Sequence, residues 1–183
     1  MEEHMDQVLR RWQLRERTAE AHAIVDAAVG AFGDIAGYGR YLAAMYRFRT
    51  PLECDLERME WPAAMGEWRP RRVSAAIAAD LRDLGLEIPE LASPPRVTGD
   101  ALMGTLYVLE GSILGSQLLF RRAQALGLSA AHGARHLALQ ADGIDEWRGF
   151  LALLEIAEPF DIERATAASL ATFAAAESAF QKA

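Results

Sequence analysis

The chain has 183 residues, 51% of them hydrophobic, and a formal net charge of −7; that is enough apolar material for one core and argues against a nucleic-acid partner, which needs net positive charge. The single cysteine, Cys54, excludes an internal disulfide, a CxxCH cofactor attachment and any multi-cysteine zinc or iron–sulfur site. The N-terminal "MEEHMDQVLRRWQL" lacks the apolar stretch of a signal peptide, and no 18-residue apolar run free of charge marks a membrane span, so the expectation is a soluble cytoplasmic protein of a reducing compartment.

Alanine is abundant and β-branched runs are scarce, which predicts helices throughout. The first helix is expected from about Asp6 to Val29, and "GAFGDIAGYGR" (30–40), with four glycines, breaks it. A second helix, "YGRYLAAMYRFRTPLECDLERM", is expected to be interrupted near Thr50–Pro51. "WPAAMGEWRPRR" reads as a connection, "VSAAIAADLRDLGL" as a short amphipathic helix ending at Gly85, and "EIPELASPPRVTGD" as a loop. One long helix is predicted over 98–127, with Thr98 as N-cap and Gly127 as stop. Helices over about 142–156 and 159–181 close the chain, with Pro159 in the first turn of the last. The prediction is an all-α orthogonal bundle of about seven helices, with residues 1–183 forming a single domain.

The long helix carries an oddity. Gly104, Gly111 and Gly115 all lie inside it, and each interior glycine costs roughly 1 kcal/mol against alanine. At 100° per residue, Leu102, Leu106, Leu109, Ile113 and Phe120 form one stripe, the core face. Gly104, Val108, Gly111 and Gly115 fall on the opposite side, with Ser112 and Ser116 at its edge. This second stripe removes bulk so that something can approach the backbone. Two occupants fit it. One is a neighbouring helix, since small residues at this spacing let backbones come close. The other is a flat ligand, along which a glycine-bearing helix could bend.

The first helix bears on that choice. Leu14, Thr18, His22, Val25 and Val29 share a stripe, which sets His22 on an inward face. A histidine there can be a hydrogen-bonded core residue or a ligand. Asp26, one turn on, is placed to accept the proton of one ring nitrogen, as carboxylates do behind metal-bound imidazoles. Arg15, two turns before, lies on the same side and suits a carboxylate. One neutral imidazole, a bare glycine face and an arginine together suit haem, whose iron takes an axial histidine.

The residues carrying these features resemble a known family. "LRERTAEAH" (14–22) is similar to the L-[KR]-x-x-T-x-x-x-H pattern of the haem oxygenase family. "LYVLEGSILGSQ" (106–117) resembles the distal helix of its bacterial members, and "WRGFLALLE" (147–155) and "ATFAAAE" (171–177) extend the likeness along the chain. The resemblance implies that His22 is the proximal ligand to haem iron, with Thr18 in the same motif and Asp26 orienting the imidazole. Gly111 and Gly115, with Val108, then pack on the distal side and leave room for dioxygen. Arg15 matches a basic residue that pairs with a propionate, and Arg148 falls near a second propionate contact.

Ser112 stands where the animal enzymes carry an aspartate that organises water, and bacterial members share the serine. The implied reaction cleaves haem b, substrate and cofactor together, to biliverdin, carbon monoxide and ferrous iron. It uses O2 and electrons from an external donor such as a ferredoxin or a flavoprotein reductase. The alternatives are a non-catalytic haem-binding or haem-sensing protein of the same fold, and a helical module whose glycine stripe seats a partner helix.

The remaining features read more plainly. His132 and His136 form an HxxxH pair with no third metal ligand nearby. His4 sits in the N-terminal segment. "RPRR" (69–72) is a solvated turn or a dock for an acidic electron donor. Trp12, Trp61, Trp68 and Trp147 read as packing residues, and Tyr107 and Gln117 as polar neighbours of the distal motif. Cys54 has no adjacent base that would make it a nucleophile of the thiaminase-like type.

Overall fold

The computed structural model describes residues 9–91 and 97–182. His4, the expected helical start at Asp6 and the middle of the 87–100 loop lie outside them. Eight α-helices run through the described residues, and no strand is among them: α1 Arg10–Val29, α2 Ile35–Arg58, α3 Ser74–Asp83, α4 Leu102–Gly111, α5 Ile113–Ala125, α6 Arg135–Ala141, α7 Ile144–Ile156 and α8 Ile162–Gln181. The all-α class is as expected from the sequence.

Local chemistry sets most boundaries. Gly30 ends α1 at φ +58°, a backbone state that a side chain disfavours. Asp34 caps α2 by accepting the amide of Gly37 at 2.7 Å. Asp161 caps α8 by accepting from the amides of Glu163 and Arg164, and Gly127 stops α5 at φ +86°.

Four boundaries depart from expectation. α2 continues through Pro51 instead of breaking there, because Thr50, Pro51, Leu52 and Glu53 are all buried. Packing on both sides of the proline outweighs the lost backbone bond. The segment 98–127 is not one helix: a short 3-10 turn at Gly99–Ala101 leads into α4, and the chain breaks again at Ser112 before α5. Thr98 makes no side-chain cap. Pro159 lies outside α8, after a cis peptide bond with Glu158. The sequence reading also missed α6, whose seven residues are too few to show a helical period.

The centre of the bundle is α8. Its small residues Ala165, Ala168, Ser169, Ala176 and Ala179 are buried, which lets α1, α2 and α4 pack close to it. Gly104 is part of this arrangement: a Cβ there would overlap the carbonyl of Ala165 and lie 2.9 Å from the Ala168 methyl. Ser169 Oγ donates to the Gly104 carbonyl at 3.0 Å. Leu102, Leu106, Leu109, Leu42, Phe150 and Leu154 fill the core beside that contact. The stretch Leu102–Ala125 is long and apolar enough, by composition, to cross a membrane, but half of its apolar window is buried inside the molecule, as in a core helix.

Candidate functional site: a slot between α1 and the α4–α5 break

α1 is an unusual core helix. Of its 20 residues only Leu14 and Thr18 are buried, the latter donating its hydroxyl to the Leu14 carbonyl at 2.7 Å. The rest of its inner face looks onto a cavity of about 960 Å3, at the upper end of the range for small-molecule and cofactor sites. Arg11, Arg15, Thr18, His22, Val25 and Asp26 line it from α1. Tyr107, Val108, Gly111, Ser112, Gly115 and Ser116 line it from α4 and α5. The two motifs read from the sequence thus face one slot.

His22 is more than half exposed, at 58%, because its surroundings are the slot and not packed side chains. Its ring meets Phe173 of α8 edge-on at 5.7 Å. Nδ1 lies 3.0 Å from Asp26 Oδ2. A carboxylate only accepts, so its place beside Nδ1 favours the proton there, the tautomer that would leave Nε2 to a ligand.

The opposite wall is bare backbone. A Cβ at Gly115 would find nothing within 4 Å, and one at Gly111 would meet only Trp147, at 3.8 Å. The glycine stripe therefore divides: Gly104 seats α8, whereas Gly111 and Gly115 face open space. Val108 is buried beside them. The break between the helices is held by hydrogen bonds. Ser112 Oγ donates to the Leu109 carbonyl at 2.7 Å, and Arg49 Nη1 donates to the same oxygen at 3.0 Å. Gln140 Nε2, from α6, donates to Ser112 Oγ at 2.9 Å. The sequence reading did not single out Gln140.

Arg49 is itself fully buried and paired with Glu53 at 2.9 Å. Glu53 also accepts the amides of Val73 and Ser74, which anchors the start of α3. Burial pushes its carboxyl up, but Arg49 and these donors outweigh burial and hold it below the ordinary value. Glu110, next to Gly111, has weaker help, a backbone hydrogen bond from Arg71. Its Oε2 is buried and has no hydrogen-bond partner, and burial raises its pKa to about 7 despite Arg49 and Arg71 nearby.

The cationic end of the slot differs from expectation at one residue. Arg15 lines the cavity, with its guanidinium 5.5 Å from the Trp12 ring centroid. Arg148 is not among the lining residues; it is 72% exposed and pairs with Asp145 at 3.1 Å, because α7 turns that side chain outward. Arg11 stands in the slot instead. Its Nε is buried without a hydrogen-bond partner among the described residues, and its guanidinium lies 5.2 Å from the Trp12 ring centroid. Tyr107 is part of the same lining, its phenol raised by burial and partly offset by Arg15.

Other candidates resolve without a site. His136 is fully buried, with Nδ1 2.7 Å from Asp80 Oδ2 and Nε2 3.5 Å from the Tyr41 hydroxyl. Burial pushes Asp80 up, but donors from His136 and Arg135 outweigh it and keep the carboxyl low. Burial lowers His136. His132 is turned outward near Asp83, and no cluster of three metal ligands occurs among the described residues. The basic run 69–72 is spoken for: Arg69 donates to two backbone carbonyls, Arg71 pairs with Glu146 and Arg72 with Glu57. Trp61, Trp68 and Trp147 pack against the core, as expected, and Trp12 is exposed at the slot.

Fold and slot define a class: an all-helical protein with one imidazole facing a stretch of side-chain-free backbone across a ligand-sized gap. No family model matches the chain. It is 36% identical over 157 residues to heme oxygenase PigA of Pseudomonas aeruginosa, an overlap covering 81% of this chain and 79% of that protein. It is 35% identical over 120 residues to a heme oxygenase of Xanthomonas campestris pv. campestris, covering 64% and 72%. The crystal structure of the NO- and CO-bound heme oxygenase of Neisseria meningitidis superposes with a TM-score of 0.82 at 27% identity, covering 96% of this chain and 92% of that one. The chain belongs to the haem oxygenase family and is a haem-degrading enzyme.

Proposed function

We propose that the slot binds haem b as substrate and cofactor, and that the enzyme cleaves it with O2 and electrons from an external donor to biliverdin, carbon monoxide and ferrous iron. The observation that carries this reading is His22, with Asp26 beside its Nδ1, lining the same cavity as the open backbone of Gly111 and Gly115. When bound, haem supplies the iron at which oxygen is reduced and the ring that is opened.

The chain's own residues position it. His22 Nε2 would hold the iron, with the Asp26 carboxylate beside Nδ1 orienting the ring. Phe173 buttresses the imidazole edge. Gly111 and Gly115 would keep the facing wall to backbone height, leaving room for a small ligand such as O2. Val108 and Thr18 add apolar contact and stiffness to the two walls. Arg15 and Arg11 hold the propionates through charge-assisted hydrogen bonds. Arg11 takes the part first expected of Arg148, since its Nε lacks an acceptor and Arg148 points away from the slot. A ferredoxin or flavoprotein reductase supplies the electrons.

The test is to follow purified protein with haem and a reductant in the visible spectrum under air. Decay of the Soret band with growth of a biliverdin band is the expected result. A Soret band that persists under reductant identifies a haem-holding protein instead, and no Soret shift on mixing removes the reading altogether.

A further inference from the structure

Ser112 is the polar side chain beside the first slot-facing glycine, and its hydroxyl invites a role as proton donor to whatever binds there. The hydrogen bonds around it argue otherwise. A hydroxyl has one hydrogen, and that of Ser112 is directed to the Leu109 carbonyl at 2.7 Å. The group approaching its oxygen must then be a donor. This fixes the Gln140 carboxamide with Nε2 towards Ser112, at 2.9 Å, and not in the flipped orientation. Gln140 is buried, lines the slot and makes no other contact of this kind among the described residues. The Leu109 carbonyl, one turn before the break, is gripped from the other side by Arg49. A chain of hydrogen bonds thus runs from α2 through the α4–α5 break to α6.

We propose that Gln140 is a positioning residue for haem cleavage: by donating to Ser112 it fixes the break between α4 and α5, and so the height of the Gly111–Gly115 wall above the bound ring. Ser112 is then a structural link in this chain and not a source of protons. The proposal rests on the functional reading above for its link to catalysis, while its structural half stands without haem.

The experiment compares Gln140→Leu, Ser112→Ala, Ser112→Thr and the double variant Gln140→Leu/Ser112→Ala. In haem-free protein, amide hydrogen exchange over residues 111–115 is expected to rise at least about fivefold in each of Gln140→Leu and Ser112→Ala. The double variant should exchange like either single one, since both cut the same link, and Ser112→Thr should keep the wild-type rate. In haem-loaded protein, Gln140→Leu should reproduce the loss of turnover of Ser112→Ala and the same severalfold faster release of CO from the ferrous complex. Wild-type exchange in Gln140→Leu, or effects that multiply in the double variant, overturns the proposal. So does a loss of turnover confined to Ser112→Ala, which would return the hydroxyl to a proton-donating role. Wild-type protein that takes up no haem removes the functional reading, and the exchange comparison still decides this one.

Discussion

Gly104 and Ala165 touch backbone to backbone: the space a methyl group on Gly104 would need is occupied by the Ala165 carbonyl. About three turns along the same face, Gly115 meets nothing. One stripe of glycines therefore serves two ends, and two substitutions separate them. Gly104→Ala forces α4 and α8 apart and should cost about 1–3 kcal/mol in chemical denaturation, in line with overpacking of a core contact. Gly115→Ala should leave stability unchanged or raise it by up to about 1 kcal/mol through helix propensity, while weakening haem uptake by filling the slot. The opposite ordering in denaturation midpoints would undo this division.

His22→Ala removes a side chain that is mostly exposed, so its thermal midpoint should stay within about 2 °C of wild type. The ferric haem spectrum should change and turnover should fall by about a hundredfold or more. Asp26→Asn, which keeps the shape but weakens the hold on Nδ1, should fall in between, by about tenfold. Equal activity in wild type and His22→Ala would disprove the ligand assignment.

The two arginines of the slot and Arg148 make a matched comparison. Arg11→Ala and Arg15→Ala should each weaken haem binding about tenfold, the loss of one charge-assisted hydrogen bond. Arg148→Ala should bind as wild type does. A haem titration monitored at the Soret maximum distinguishes them.

Glu110 gives a pH signature with a definite sign. Its folded pKa of about 7 lies above the ordinary 4.5 of a free glutamate, so the folded state holds more protons between those values and stability declines as pH rises across that window. Glu110→Gln removes the titration. It should gain on the order of 1–3 kcal/mol over wild type at pH 7 and little at pH 4.5. Urea denaturation at the two pH values measures the difference, and a gap that does not widen with pH contradicts it.

The pair Arg49–Glu53 is the reverse case, a buried ion pair with its donors and acceptors met. Glu53→Gln leaves Arg49 buried without its counter-charge and should cost about 3–5 kcal/mol. Because Arg49 also grips the Leu109 carbonyl, the loss should be accompanied by weaker haem binding, measured on the same preparation.

What the sequence makes legible is what has a period or a spacing. His22, Asp26 and the two bare positions on the facing wall are local patterns, and the fold brings them to one cavity. Pro51 misleads because its cost is intrinsic to the chain, whereas the burial of Thr50 to Glu53 that overrides it is tertiary. Arg148 misleads in the same way, for a helix pattern gives no direction relative to a slot formed elsewhere. Gln140 and Arg49 are invisible at this level. Each acts across a long stretch of chain on one hydroxyl or one carbonyl, and such contacts leave no mark on composition or periodicity. Gly104 is legible as small but not as facing α8, since helix and ligand ask for the same residue.

The thin attachment of α1 carries a last consequence. Only Leu14 and Thr18 of this helix are fully inside; it packs on α8 along one side, with Ala21, Val25 and Val29 half-buried, and leaves the side facing the slot uncovered. A porphyrin in the gap would act as the missing layer of interior, a filling against which α1 closes. On the proposed activity that filling is consumed at every cycle. Opening the ring would then remove that layer, tying departure of the spent tetrapyrrole to a loss of packing along the N-terminal wall.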